Sequence, residues 1–142
     1  MSTAQQLVTR FFDHWHAGRI DEMVGMFAPD GRFHFSAVTK PPAVGYDAIR
    51  EFLTTYSNMS VVKRLRINAM AQAGDDVFYE AVEDFDLADG TRVVVPYAGV
   101  VRVTDGQFTD WRDYFDRATI DAQAAGEGEL PDHAEELLER PA

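Results

Sequence analysis

Leu7, Val8, Phe11, Phe12 and Trp15 recur at the spacing of one helical face, and Gly18 follows as a stop. The stripe predicts an amphipathic first helix. A second, short helix is predicted over about Asp21 to Phe27, closed by a turn at Ala28-Pro29-Asp30-Gly31. Arg32-Phe33-His34-Phe35 alternates polar with aromatic, as a half-buried strand does, and Thr39-Lys40-Pro41-Pro42 interrupts it with a loop. Tyr46 to Tyr56 predicts a third helix, with Ile49, Phe52, Leu53 and Tyr56 on one stripe.

After that helix the period changes to two. Val61 to Met70, Val77 to Leu87, Thr91 to Val103 and Gln107 to Phe115 read as four strands, with Asp89-Gly90 and Asp105-Gly106 at two of the joints. Asp-Gly favours the positive φ of tight hairpins, so the last three strands should form an antiparallel meander. Pro96 lacks an N–H and belongs at an edge or a bulge. Three N-terminal helices and a curved, mostly antiparallel sheet make an α+β cone, the helices closing one side of a pocket.

A chain of 142 residues fits one domain. We place that domain at residues 1–125, with 126–142 an acidic C-terminal tail. Glu127, Glu129, Asp132, Glu135, Glu136 and Glu139 crowd this tail, which reads as a solvated arm or a loosely docked helix. The formal charge of −11 opposes binding to nucleic acid or to an anionic membrane surface. The chain has no cysteine, so disulfides and thiolate metal sites are excluded. With no export signal and no run of about 18 apolar residues, the expected location is cytoplasmic.

Candidate chemistry centres on Trp111-Arg112-Asp113-Tyr114-Phe115-Asp116, where alternation puts Asp113 on one face between Trp111 and Phe115. On a buried face that carboxylate must find a partner or rise in pKa, and either suits a general acid or base. The plain structural alternative is an Asp at a sheet rim, satisfied by backbone N–H groups. Tyr79, Ala81, Glu83 and Phe85 share a face of their strand, as do Val95, Tyr97, Gly99 and Val101 of the next. If these faces converge, Glu83 and Asp113 share one apolar chamber with Tyr97, and one should keep a proton while the other acts as base. The alternative for Glu83 is solvent. His14, His16, His34 and His133 form no recognisable ligand spacing, and there is no phosphate loop, nucleophile elbow or Ser triad pattern.

The stretch from about Gln5 to Ile120 resembles the SnoaL-like branch of the NTF2-like (cystatin-like) superfamily, and within it the limonene-1,2-epoxide hydrolase family. Gly99 to Asp116 matches best, through Thr104-Asp105-Gly106 and Trp111-Arg112-Asp113-Tyr114-Phe115-Asp116. The resemblance implies a deep hydrophobic pocket entered at the wide end and a homodimer packed through the outer sheet face, where Val94, Val100 and Phe108 are expected. It also implies an Asp-Arg-Asp group assisted by Tyr and Asn, of which Asp113 matches one aspartate. The Arg-x-Asp falls on Ala81 and Glu83, and the Tyr-x-Asn near Phe33 and Phe35. Without that arginine and those water-holding groups, epoxide hydrolysis takes second place. First is proton transfer on an apolar, oxygenated, polyketide- or steroid-like molecule, of isomerase or cyclase type and without a cofactor. In this reading Asp113 is the base and Glu83 or Tyr97 the enolate donor. Phe33, Phe35, Tyr79, Ala81, Val95, Trp111 and Phe115 are the substrate-binding walls. The remaining alternative is a non-catalytic ligand-binding or dimerisation module.

Overall fold

The computed structural model describes residues 1–129 and 132–138. Ser2 starts the first helix, α1 (Thr3–His16), by a capping box: its hydroxyl accepts the Gln5 N–H while the Gln5 side chain accepts the N–H of Ser2. There follow α2 (Ile20–Val24), β1 (Phe27–His34), β2 (Ala43–Val44) and α3 (Tyr46–Met59). Four long strands come next: β3 (Ser60–Ala73), β4 (Asp76–Leu87), β5 (Arg92–Thr104) and β6 (Gln107–Tyr114). A helix α4 (Arg117–Ala124), a short α5 (Asp132–Glu135) and a 3₁₀ turn (Glu136–Leu138) complete the described chain.

The sheet runs β2-β1-β6-β5-β4-β3, antiparallel throughout except where β1 lies parallel to β6. The expected α+β class with a curved, mostly antiparallel sheet is what the chain forms. At the β5–β6 joint, Asp105 (φ 51°) and Gly106 (φ 76°) both take the left-handed conformation that a tight hairpin requires.

Three details differ from the sequence reading. Phe27 opens β1 instead of closing α2, and Ala28 to Gly31 form an irregularity within that strand, because the pairing of β1 with β6 slips between Phe27 and Arg32. A two-residue strand, β2, which the spacing does not predict, pairs with Arg32 and Phe33 of β1 just before the third helix. Phe108 lies inside and not on the outer face. The register shifts between Arg102 and Val103, which pair with Asp110 and Phe108, and the extra residue reverses the parity of Phe108. It is fully buried in the main core. Pro96 does lie at an edge: the β5–β6 ladder stops at Ala98, while the β4–β5 ladder runs unbroken past Pro96.

The core fills the concave side. Phe11 of α1 stacks 4.1 Å from Trp111 and meets Phe27 and Phe108 edge-on at 5.9 and 5.7 Å. On the convex side Leu138 is buried against Val82 and Val94. The Leu138 carbonyl accepts from Arg64 and Arg66 at 3.2 and 3.3 Å, and Arg92 joins Asp84 to Glu135. The free edge of β5 is closed by Gln123 of α4, whose side-chain amide accepts the Val94 N–H and donates to the Val94 carbonyl, both at 2.9 Å. Within the tail, Glu127, Glu129, Asp132 and Glu136 are exposed, Glu135 is partly buried, and Glu139 lies outside the described residues. Among the described residues no helix is long and apolar enough to cross a membrane.

Candidate active site

Three strands put Tyr79, Gly99 and Asp113 in one row across the concave face. A side chain at the middle position would separate the outer two. A Cβ on residue 99 would lie 2.6 Å from Asp113 Oδ1 and would collide with the Tyr79 ring and hydroxyl. Glycine leaves that space open, and the Tyr79 hydroxyl crosses it to donate to Asp113 Oδ1. The Trp111 indole N–H lies 3.0 Å from the same oxygen and 3.1 Å from the Tyr79 hydroxyl. Both bonds to the carboxylate fall on Oδ1, so Oδ2 is the oxygen open to a reaction partner.

Glu83, four residues along β4 from Tyr79, has the same kind of shell. The Trp15 indole of α1 donates to Oε1 at 2.8 Å, and the Tyr97 hydroxyl to Oε2 at 3.3 Å. Each carboxyl thus holds one indole N–H and one phenol O–H. The two tyrosine rings meet edge-on at 6.2 Å, and Phe12 packs 5.1 Å from Tyr79 and 6.4 Å from Tyr97.

Burial dominates the electrostatics. It pushes Asp113 up to about 7; the bonds from Tyr79 and Trp111 oppose the rise and the charge of Glu83 adds to it. Glu83 is also raised by burial, against the donors Trp15 and Tyr97. Both tyrosines are held well above their ordinary value, first by burial and then by the charges beside them: Asp113 for Tyr79, and Glu83 followed by Asp113 for Tyr97. They therefore remain proton donors at neutral pH. Neither alternative of the sequence reading describes the carboxyls: Asp113 is held by side chains and not by backbone N–H groups, and Glu83 turns inward.

The expected walls divide. Tyr79 and Trp111 act as hydrogen-bond donors as well as apolar surface. Ala81 is fully buried, paired with Tyr97, and Val95 is buried opposite Glu83. Phe33 is core, packed edge-on to Phe27 and Phe52 at 5.9 and 5.3 Å. Phe35 and Phe115 continue that core outward, Phe35 packing on Phe52, Tyr56 and Phe115. His34 pairs with Asp110, which also binds Arg112, away from the two carboxyls. Among the described residues, no group of three or more His, Asp or Glu is placed to hold a metal ion.

Two contributors escaped the sequence reading. Gly99 was placed on the correct face without a role. Trp15 falls on the apolar stripe of the first helix, where its indole N–H needs an acceptor, and Glu83 is the inward-facing candidate that supplies one.

Comparison with solved structures gives the same architecture. A protein of ketosteroid isomerase-like fold from Catenulispora acidiphila, crystallised with trimethylamine, superposes with a TM-score of 0.75 at 24% identity, covering 88% of this chain and 93% of its own. An LEH-like epoxide hydrolase from M. tuberculosis matches with a TM-score of 0.75 at 21% identity, over 88% and 91%. SalBIII, an epoxide hydrolase/cyclase-like enzyme in pyran ring formation in the polyether salinomycin, matches with a TM-score of 0.73 at 18% identity, over 82% and 92%. At these identities the likeness concerns the fold. The family model described as a SnoaL-like domain matches residues 8–111, most of the chain, and with that match the protein belongs to the SnoaL-like family.

Proposed function

We propose that the protein is a cofactor-independent enzyme that moves a proton on an apolar, oxygenated, ring-bearing substrate of polyketide or steroid type. The observation that carries this reading is the pair of enclosed carboxyls, each held by one indole and one phenol, with Asp113 raised to about 7. A general base works best when its pKa is near the operating pH. Asp113 Oδ2 removes a proton from the carbon beside a carbonyl, and the electron pair moves onto the carbonyl oxygen. Protonated Glu83, or the Tyr97 hydroxyl, donates to the resulting enolate, and Asp113 returns the proton to another carbon. Burial favours the neutral form of Glu83 that this donation requires.

A second reading, epoxide hydrolysis, is favoured by the same two carboxyls: Glu83 would protonate the epoxide oxygen while Asp113 activates a water. It is weakened at Ala81, whose buried methyl stands where the resemblance implies an arginine. The test follows exchange of solvent deuterium into the positions beside the carbonyl of 2-tetralone, by proton NMR. We expect acceleration over buffer, and a loss of about 10²-fold or more in Asp113→Asn. Diol formation from limonene 1,2-epoxide, abolished by Asp113→Asn, would put the hydrolase reading first. Neither activity across a broad panel of ketones and epoxides would leave a binding module.

A further inference from the structure

We propose that the Trp15 indole is a movable wall of the site. Ligand comes in through the recess beside it, displaces it from Glu83, and takes its place as hydrogen-bond donor to that carboxyl. The inference rests on the site described under Proposed function and adds its access route and a specificity-determining residue.

A recess of about 210 Å³ lies where α1, α3 and β3 meet. Its walls are Trp15 to Gly18 at the end of α1, Ser57 in the last turn of α3, and Ser60 to Val62 at the start of β3. Val61 and Val62 pair with Asp86 and Phe85, two to three residues along β4 from Glu83. At about 3.3 Å per residue, the recess is roughly 7–10 Å along the strand from the carboxyl. Trp15 belongs to both places, since it lines the recess and its Nε1 donates to Glu83. On the inner side, Phe12, Tyr79 and Trp111 are buried against one another beside Asp113.

Of the residues around the two carboxyls, Trp15 is the one best placed to move. It sits in the last turn of its helix and is only partly buried, whereas Trp111 is fully buried in a central strand. A single hydrogen bond fixes its polar end. Rotation of the indole leaves Glu83 Oε1 without a donor, and that oxygen accepts whether or not the carboxyl is protonated. An arriving molecule that carries a hydroxyl or N–H on an apolar frame replaces that donor and is therefore bound more tightly. One without such a group leaves a buried acceptor unsatisfied.

The chain has two tryptophans, so ¹⁵N-labelled protein shows two indole signals, assigned by Trp15→Phe. In free protein the Trp15 indole proton should exchange with solvent about tenfold or more faster than that of Trp111. Titration with 2-naphthol should shift the Trp15 signal, and naphthalene, which lacks the hydroxyl, should bind about tenfold or more weakly. Trp15→Phe keeps the apolar ring but has no bond to displace, so it should bind 2-naphthol at least as tightly as the natural protein. Its Glu83 carboxyl should titrate higher, one donor to the charged form being gone. Equal protection of the two indoles would overturn the proposal. So would failure of 2-naphthol to bind, or binding that moves Tyr97 while the Trp15 signal stays. None of these readouts uses turnover. Loss of proton exchange with a mobile indole removes only the functional reading, and turnover behind a fixed indole removes only the wall.

Discussion

Removing the charge of Asp113 should flatten the fall in stability that the natural protein shows as pH rises from weakly acidic to neutral. In the unfolded chain the carboxyl titrates near its ordinary 3.8, and in the folded protein at about 7. Between those values the folded state binds more protons than the unfolded state, so stability decreases with rising pH, and the full penalty is present above about 7. At 1.36 kcal/mol per pH unit, the displacement corresponds to about 4 kcal/mol. Glu83, raised in the same direction, adds a slope of the same sign. Asp113→Asn keeps an oxygen to accept from Tyr79 and Trp111 but introduces an amide N–H₂ in need of acceptors, at a cost of about 1–3 kcal/mol. The sign at any single pH is therefore set by two opposed terms of similar size, whereas the pH slope isolates the charge. Urea unfolding from about pH 4.5 to about pH 8 should show a falling midpoint for the natural protein and a much shallower fall for the variant, at unchanged m-value. A flat or rising midpoint in the natural protein, together with a carboxyl-carbon NMR titration of Asp113 near 4, would refute the burial argument.

Four further outcomes follow from the same geometry. Gly99→Ala should destabilise by about 2–4 kcal/mol in urea unfolding and raise the Asp113 titration further, because the added methyl ejects the Tyr79 hydroxyl from its carboxylate. In the proton-exchange assay kcat/KM should rise with pH through an apparent pKa near 7 as Asp113 becomes the free base, and Tyr79→Phe should move that limb upward by removing a donor to the charged form. Limonene 1,2-epoxide should give little diol with the natural protein, as measured by gas chromatography, since Ala81 supplies no guanidinium. We also expect a homodimer. Val94 is covered by Leu138 and Phe108 lies inside, so the contact should centre on Phe78 and Tyr114 beside Val100, and Phe78→Glu should shift sedimentation toward monomer.

The elements were legible where periodicity was long. The stripe of α1 and the four alternating runs after Tyr56 were strong enough for type and order to follow from spacing, and Asp105-Gly106 located its hairpin because few residue pairs accept positive φ there. Errors arose where one residue changed the count. At Phe27 a strand begins directly after a turn, and Pro29 and Gly31 read as a stop although the backbone continues through them as a strand irregularity. At Phe108 a single unpaired position reversed which face the ring occupies.

The site followed the same rule with a different limit. Parity alone was enough to bring Glu83, Tyr97 and Asp113 to one face, because the pairing of β4 with β5 is continuous from Asp76 to Asp86 and that of β5 with β6 from Ala98 to Arg102. Parity does not say which residues lie side by side across strands, and that sideways relation decides the chemistry. Tyr79 reaches Asp113 only because residue 99 between them has no side chain, and Trp15 reaches Glu83 only because α1 crosses β4 at that level. A glycine read along the chain signals a turn or a weak strand. Read across the sheet, Gly99 is the vacancy through which a tyrosine holds a carboxylate, and register is what turns the first reading into the second.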